Sequence, residues 1–319
     1  MERALIIGGS GFVGEHLARR LTGEGYDTTA TKLPHEPGRG QAARYADLDV
    51  LDADALAALL RAGQYNAVCH LAAQSSVALS WQNPALTVDI NIKGCCNLLQ
   101  AVKELDHRPR VLLVGSGEEY GVASADGTPV GEDAAPRPGN VYAATKACQN
   151  MLGKVYADAY GLDIVMVRAF NHIGPGQAPH FAVADFCRQI AQIEAGQREP
   201  LLSAGNLSAR RDFTDVRDVA GAYVRILQQG IRGETYNVGS GRAISIGEVL
   251  GHLLALAKCP IRVQTEEAKL RPADSPAITA DTGKLARLTG WSPQIPLRQS
   301  LQDCLEYARA QITPPEGAL

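Results

Sequence analysis

A tyrosine and a lysine stand four residues apart at Tyr142-Ala-Ala-Thr-Lys146. In a helix that spacing puts a phenol and an ammonium on one face. A nearby ammonium stabilises phenolate, so the phenol is expected to titrate below its ordinary value of about 10 and to act as a general acid/base. Five-residue matches of this kind are common by chance on protein surfaces. Here the pair follows Gly115-Ser116-Gly117-Glu118-Glu119-Tyr120-Gly121, at the end of a strand-like run. Ser116 brings a hydroxyl that polarises the oxygen Tyr142 protonates. Together the three suit carbonyl reduction, with hydride arriving on one face and a proton at the oxygen.

A second chemical signal lies at the start of the chain. Leu5-Ile6-Ile7 runs straight into Gly8-Gly9-Ser10-Gly11-Phe12-Val13-Gly14 and then a helical pattern. Gly8 allows a sharp turn, Gly11 lets a pyrophosphate approach the backbone, and Gly14 lets helix and strand pack closely. The helix start adds free N–H groups and partial positive charge. The end of the next strand bears on which dinucleotide is taken. A site for NAD usually carries Asp or Glu there, to hold the ribose 2′-hydroxyl. This chain has Thr31 and Lys32, a hydroxyl and an ammonium that suit a 2′-phosphate. Asp47 and Leu48, after a further strand-like stretch, are placed to contact the adenine. The expected cofactor is NADP(H), with NAD(H) as a second candidate.

These residues need a scaffold that brings strand ends together. Strand-like runs at Arg3–Gly8, Asp27–Lys32, Ala67–Ala72, Arg110–Gly115 and Asp163–Phe170 alternate with helical patterns at Phe12–Thr22, Ala55–Arg61, Pro84–Glu104 and Asn140–Tyr160. That alternation predicts an α/β fold, a doubly wound parallel sheet of the Rossmann kind. Residues 1–172 are expected to form the dinucleotide-binding domain, with 212–240 returning to it. Residues 173–319 are expected to build mainly a smaller C-terminal substrate-binding domain. Its helices are predicted at Val183–Ala195, Val216–Gln229, Ser245–Ala257, Asp281–Leu288 and Leu297–Ala308.

Composition narrows the function classes. A net charge of -3 over 319 residues leaves no basic footprint for nucleic acid. No segment approaches the roughly 18 uninterrupted apolar residues of a membrane span, so the expectation is a cytoplasmic protein with no membrane partner. Seven cysteines, none at metal-ligand spacing, read as reduced and mostly buried thiols, and no metal site is expected. The apolar stretches in Pro84–Glu104 and Asn140–Tyr160 predict a symmetric homodimer paired through those helices.

The glycine loop, Leu71-Ala72-Ala73, Asn91, Ser116, Tyr142 and Lys146 together resemble the extended short-chain dehydrogenases/reductases. The likeness extends over nearly the whole chain, through Arg168-Ala-Phe-Asn171-His-Ile-Gly-Pro-Gly-Gln177, Arg210-Arg211-Asp212-Phe213-Thr214-Asp215-Val216 and Arg271-Pro272. Within that family the chain is most similar to reductases of GDP-4-dehydro-6-deoxy-D-mannose. The resemblance implies an NAD(P)-dependent oxidoreductase that uses NADPH to reduce a 4-keto group and yields GDP-D-rhamnose. It adds Phe12, Val13, Leu71, Ala72, Ala73, Asn91, Tyr142 and Lys146 to the cofactor contacts. It also implies that Asn171, Arg211 and Arg271 hold the substrate diphosphate, which suits the fork of a guanidinium. Ser116 and Glu118 are expected at the sugar, and Glu118 is expected among the catalytic residues with Ser116, Tyr142 and Lys146. His172, in a Gly/Pro-rich loop, reads as a shaping residue rather than an acid/base.

Two rivals share this scaffold. A nucleotide-sugar 4,6-dehydratase needs a base and an acid before its Tyr-Gly. Glu118 offers the base, but Gly117 stands where the acid belongs. A 4-epimerase would hold NAD, which conflicts with the missing carboxylate after the second strand. A non-catalytic dinucleotide sensor would have no use for Ser116, Tyr142 and Lys146 together.

Overall fold

The computed structural model describes residues 1–38, 42, 44–121, 128–266 and 277–312. Its centre is strand β1 (Arg3–Ile7), whose side chains alternate between two covered faces. Leu5 and Ile7 join one apolar core and Ala4 and Ile6 the other, all with no exposed surface. β2 (Asp27–Lys32) and β3 (Arg44–Asp47) extend the sheet on one side. β4 (Ala67–His70), β5 (Arg110–Ser116), β6 (Ile164–Ala169) and β10 (Thr235–Val238) extend it on the other. All seven strands pair in parallel, in the order β10-β6-β5-β4-β1-β2-β3. The chain turns from one wing to the other between β1 and β4. The crevice beyond the strand ends at such a switch point is where doubly wound sheets take ligands.

Helices cover both faces, as expected for a parallel sheet. α1 (Phe12–Gly23) and α8 (Val216–Gln229) close one face through Leu17, Leu21, Val219 and Tyr223. α2 (Ala53–Gly63), α5 (Gly94–Lys103) and α6 (Val141–Tyr160) close the other through Leu56, Leu60, Leu98, Leu99 and Ala157. Truncating a side chain such as Leu17 to Ala would cost about 2–5 kcal/mol. A separate core around Phe186, Ile190, Leu202, Leu253 and Leu305 is built by α7 (Ala182–Glu194), β8 (Leu201–Ala204), α9 (Ile246–Leu254) and α11 (Leu297–Ala310). Helix α10 (Gly283–Thr289) packs on α8 and β10. Among the described residues, no helix is long and apolar enough to cross a membrane, and no cluster of His, Cys, Asp and Glu could hold a metal.

The predicted helix Pro84–Glu104 is not continuous. α3 (Val77–Gln82) precedes α4 (Pro84–Val88), and Asp89–Lys93 forms one wider π turn before α5. The buried polar residue Asn91 sits in that turn and faces inward. Such turns interrupt the i→i−4 ladder locally and recur at functional sites.

Candidate active site

A cleft of about 620 Å³ opens at the carboxyl ends of the sheet strands. Its floor begins with the glycine turn. Gly8 has φ +80, and a Cβ there would meet the Ala72 backbone nitrogen at 2.6 Å. Only glycine lets the loop sit that close to the segment after β4. The Gly8 N–H donates to Thr31 Oγ1 at 2.9 Å, and Ser10 N donates to the Thr31 carbonyl at 3.1 Å. Thr31 therefore braces the turn in addition to lining the cleft. The helix that follows starts at Phe12 with Gly11 as N-cap and no side-chain cap. Its first N–H groups are left for an anion, which fits the pyrophosphate of a dinucleotide.

At the far end of this floor, Lys32 and Asp47 lie opposite each other in the β2–β3 register. Lys32 Nζ donates to Asp47 Oδ1 at 2.5 Å. The lysine side chain is 18% exposed and the aspartate 56%. Lys32 and Leu48 line the cleft, and the Asp47 side chain is turned to the lysine instead. Glu36, which sequence reasoning did not single out, also lines it and accepts from Ser10 Oγ at 3.3 Å. The walls continue through Phe12, Val13, Leu71, Ala72 and Ala73.

Asn91 stands behind the wall. Its amide oxygen accepts from Gln74 N at 2.8 Å, and its nitrogen donates to the Gln74 carbonyl and to Thr145 Oγ1. Thr145 is next to Lys146, so Asn91 pins the reactive helix to the segment after β4, and it does not itself line the cleft.

The reactive end is built by β5 and α6. Asn140 caps α6 by accepting from Ala143 N, which sets where Tyr142 and Lys146 project. Ser116, Glu118, Tyr142 and Lys146 all line the cleft. Lys146 Nζ donates to the Val114 carbonyl at 2.7 Å and to Gln149 Oε1 at 3.1 Å. Burial lowers its pKa to about 8. The expected fall in the Tyr142 pKa does not occur. Burial pushes the phenol up and outweighs the opposite pull of Ser116, while the Lys146 ammonium is aimed at Val114 and Gln149. Tyr142 is thus held as a phenol, a proton donor. Glu118 accepts from Asn140 Nδ2 at 3.3 Å, tying the serine loop to the helix cap.

On the substrate side, Asn171 in β7 (Asn171–Ile173) and Arg211 in β9 (Arg210–Asp215) line the cleft. Arg210 instead donates to the Ala243 carbonyl at 2.7 Å and pairs with Glu248. Arg271 lies outside the described residues. His172 stacks on Phe12, with ring centroids 6.0 Å apart, and its Nδ1 sits 3.0 Å from the Phe170 carbonyl. It shapes the wall. Gly117 has Phe170 over it: a Cβ there would stand 3.0 Å from three ring atoms.

A dinucleotide cradle at a switch point, opening onto a serine, a phenol and a buried lysine, defines an NAD(P)-dependent oxidoreductase of the extended short-chain dehydrogenase/reductase class. The family model described as GDP-mannose 4,6 dehydratase matches residues 5–304, and the chain belongs to that family. It is 35% identical over 311 residues to the GDP-6-deoxy-D-mannose reductase of Pseudomonas aeruginosa, covering 98% of each chain. Among solved structures it resembles RMD from Pseudomonas aeruginosa complexed with NADPH, with a TM-score of 0.87, 33% identity, and 98% and 100% of the two chains covered. It also resembles the UDP-glucose 4-epimerase of Thermus thermophilus in complex with NAD, with a TM-score of 0.88, 28% identity, and 97% and 100% covered.

Proposed function

We propose that this protein reduces the 4-keto group of GDP-4-dehydro-6-deoxy-D-mannose to give GDP-D-rhamnose, with NADPH as the reductant. The observation that carries reduction over dehydration is at Gly117. Dehydration needs an acid beside Glu118, and here the backbone has no side chain while the Phe170 ring fills the direction one would take. The similarity to a GDP-6-deoxy-D-mannose reductase supports the sugar and the nucleotide.

NADPH, when bound, supplies the hydride. Gly8, Gly11, Phe12, Val13 and Gly14 would hold its pyrophosphate, Thr31 and Lys32 its 2′-phosphate side, and Leu71, Ala72 and Ala73 its body. At the reacting carbon, the Tyr142 phenol gives its proton to the 4-oxygen as that oxygen gains charge. The Ser116 hydroxyl donates to the same oxygen and fixes its position. Lys146 keeps its ammonium on the Val114 carbonyl and Gln149 at the cleft wall, where it would meet the nicotinamide ribose. Asn171 and Arg211 face the substrate diphosphate, where a guanidinium matches phosphate oxygens. Glu118, next to Gly117, stays with Asn140 and shapes the loop.

The protein works, on this reading, as a homodimer. Trp81, Val88, Met151, Val155 and Tyr160 are exposed apolar residues on α3, α4 and α6, which pack together. Exposed apolar residues gathered on packed helices mark an interaction surface, and a second copy presents the same one. Light scattering should give twice the chain mass.

The test is loss of NADPH absorbance with defined nucleoside-diphospho-4-keto sugars, with the product configuration read by NMR. The GDP sugar should be reduced fastest and give the D-rhamno product. Faster turnover of a UDP or dTDP sugar, or a different configuration at C4, would overturn the assignment.

A further inference from the structure

Directly behind Ser116 lies a charged group that the proposed reaction does not use. Glu119 has no exposed surface. Its Oε1 accepts from the Ser116 backbone N–H at 2.8 Å and from Asn150 Nδ2 at 2.9 Å. Its Oε2 accepts from Arg168 Nε at 2.9 Å and from the same Asn150 nitrogen at 3.0 Å. Burial pushes the Glu119 carboxyl up, while Arg168, the Ser116 N–H and Asn150 pull it the other way; every partner donates, which is the environment that holds an ionised carboxylate. Strand β5 makes room for it: a Cβ on Gly115 would stand 2.2 Å from Glu119 Oε1.

The network continues away from the cleft. Arg168 Nη1 donates to Tyr120 Oη at 2.9 Å and to the Glu132 carbonyl at 3.1 Å. Tyr120 in turn donates to Asn237 Oδ1 at 2.8 Å. The Asn237 amide holds the carbonyls of Val130 and Asp281. Four stretches of the chain, at 116–120, 132, 150 and 168, thus meet on one buried carboxylate and its arginine, and Tyr120 links them to Asn237.

We propose that Glu119, held by Arg168, is a positioning residue for the reaction: it fixes the Ser116 backbone and places a fixed negative charge behind the phenol and the ammonium. The proposal rests on the reading of Ser116 and Tyr142 as the groups at the substrate oxygen. A buried ion pair is a poor stabiliser of a fold, because an apolar pair of similar volume often serves as well or better. Its place against the serine gives it a different use.

The charge acts on both reactive groups. Burial is the largest influence on both groups, raising Tyr142 and lowering Lys146; Glu119 adds a smaller upward pull on each, in the same direction as Glu118 on Tyr142 and Cys95 on Lys146. The groups facing the carboxylate are Arg168 from β6, Asn150, Tyr142 and Lys146 from α6, and the Ser116 N–H from β5, with Tyr120 and Glu132 beyond the arginine. Removing the charge takes this upward pull from the Lys146 ammonium, which titrates at about 8, so the alkaline limb of kcat set by that ammonium moves to lower pH.

The experiment compares wild type, Glu119→Gln and the double variant Glu119→Leu/Arg168→Met. The substrate is GDP-4-dehydro-6-deoxy-D-mannose, or UDP-glucose should the wild type turn over that instead. A wrong sugar assignment therefore shows in the wild type and leaves the comparison intact. Both variants should lose at least about tenfold in kcat, with KM and NADPH affinity within about threefold, because the loss is one of alignment at the reacting atoms. The alkaline limb of Glu119→Gln should move to lower pH. The double variant, which leaves no unpaired buried charge, should melt near the wild type and stay slow. Wild-type turnover in the folded double variant, or an unmoved alkaline limb in Glu119→Gln, would overturn the proposal.

Discussion

Two ion pairs flank the same cleft and behave in opposite ways. Lys32–Asp47, at the far end of the floor from Ser116, is 2.5 Å long and half in solvent, with the carboxylate 56% exposed. Glu119–Arg168, behind Ser116, is 2.9 Å long with the carboxylate wholly buried. An exposed pair is worth little and can exchange partners, which leaves the lysine open to an incoming anion. Breaking a buried pair leaves a charge without water or partner, which is expensive. One end of the cleft carries a pair that can exchange partners, and the other a pair fixed by burial and its own hydrogen bonds.

The largest effect that can test this contrast is at the rigid end. Tyr142→Phe keeps the ring and removes the donated proton, so kcat should fall by about 10²–10⁴ while NADPH affinity changes far less. Steady-state kinetics and a cofactor titration check it together. Arg168→Met should come next, leaving Glu119 buried and unpaired at a cost of about 3–5 kcal/mol in unfolding free energy, measured by urea denaturation.

At the adaptable end, Lys32→Asp removes an attraction and adds a repulsion. The NADPH/NADH ratio of kcat/KM should fall about 10- to 150-fold, the range of one lost charge-assisted hydrogen bond. An unchanged ratio would mean that Lys32 is only a solvated charge. The smallest effect belongs to Asp47→Asn, which frees Lys32 from its partner. Stability should change by no more than about 1 kcal/mol. The same ratio should rise by a few fold, since the ammonium no longer has to leave a carboxylate to meet a phosphate.

The same contrast runs through what the sequence revealed. The glycine loop, Ser116 and the Tyr142/Lys146 pair were legible because each signal is local: a turn, a strand end, one helix face. The parallel sheet followed from alternating apolar runs. The Glu119–Arg168 pair joins residues 49 apart through neighbouring strands, so no spacing announced it. Asn91 stood in a plausible helix, and only the structure showed that it lies in a π turn with its amide bonded to Gln74 and Thr145. The pairing of Lys32 with Asp47 came from strand register, which single-chain patterns do not supply. The phenol was misjudged because spacing shows the ammonium but hides burial, and burial wins. Arg271 lies outside the described residues.

The choice between reduction and dehydration turns on Gly117 and Phe170, and one side-by-side assay decides it. The protein is given GDP-mannose with NADP⁺ in one vessel and GDP-4-dehydro-6-deoxy-D-mannose with NADPH in the other, and both are followed by mass spectrometry. Reduction of the keto sugar with no loss of water from GDP-mannose is the expected result. Conversion of GDP-mannose to its 4-keto-6-deoxy product would contradict the account, because the acid it requires has no side chain at position 117.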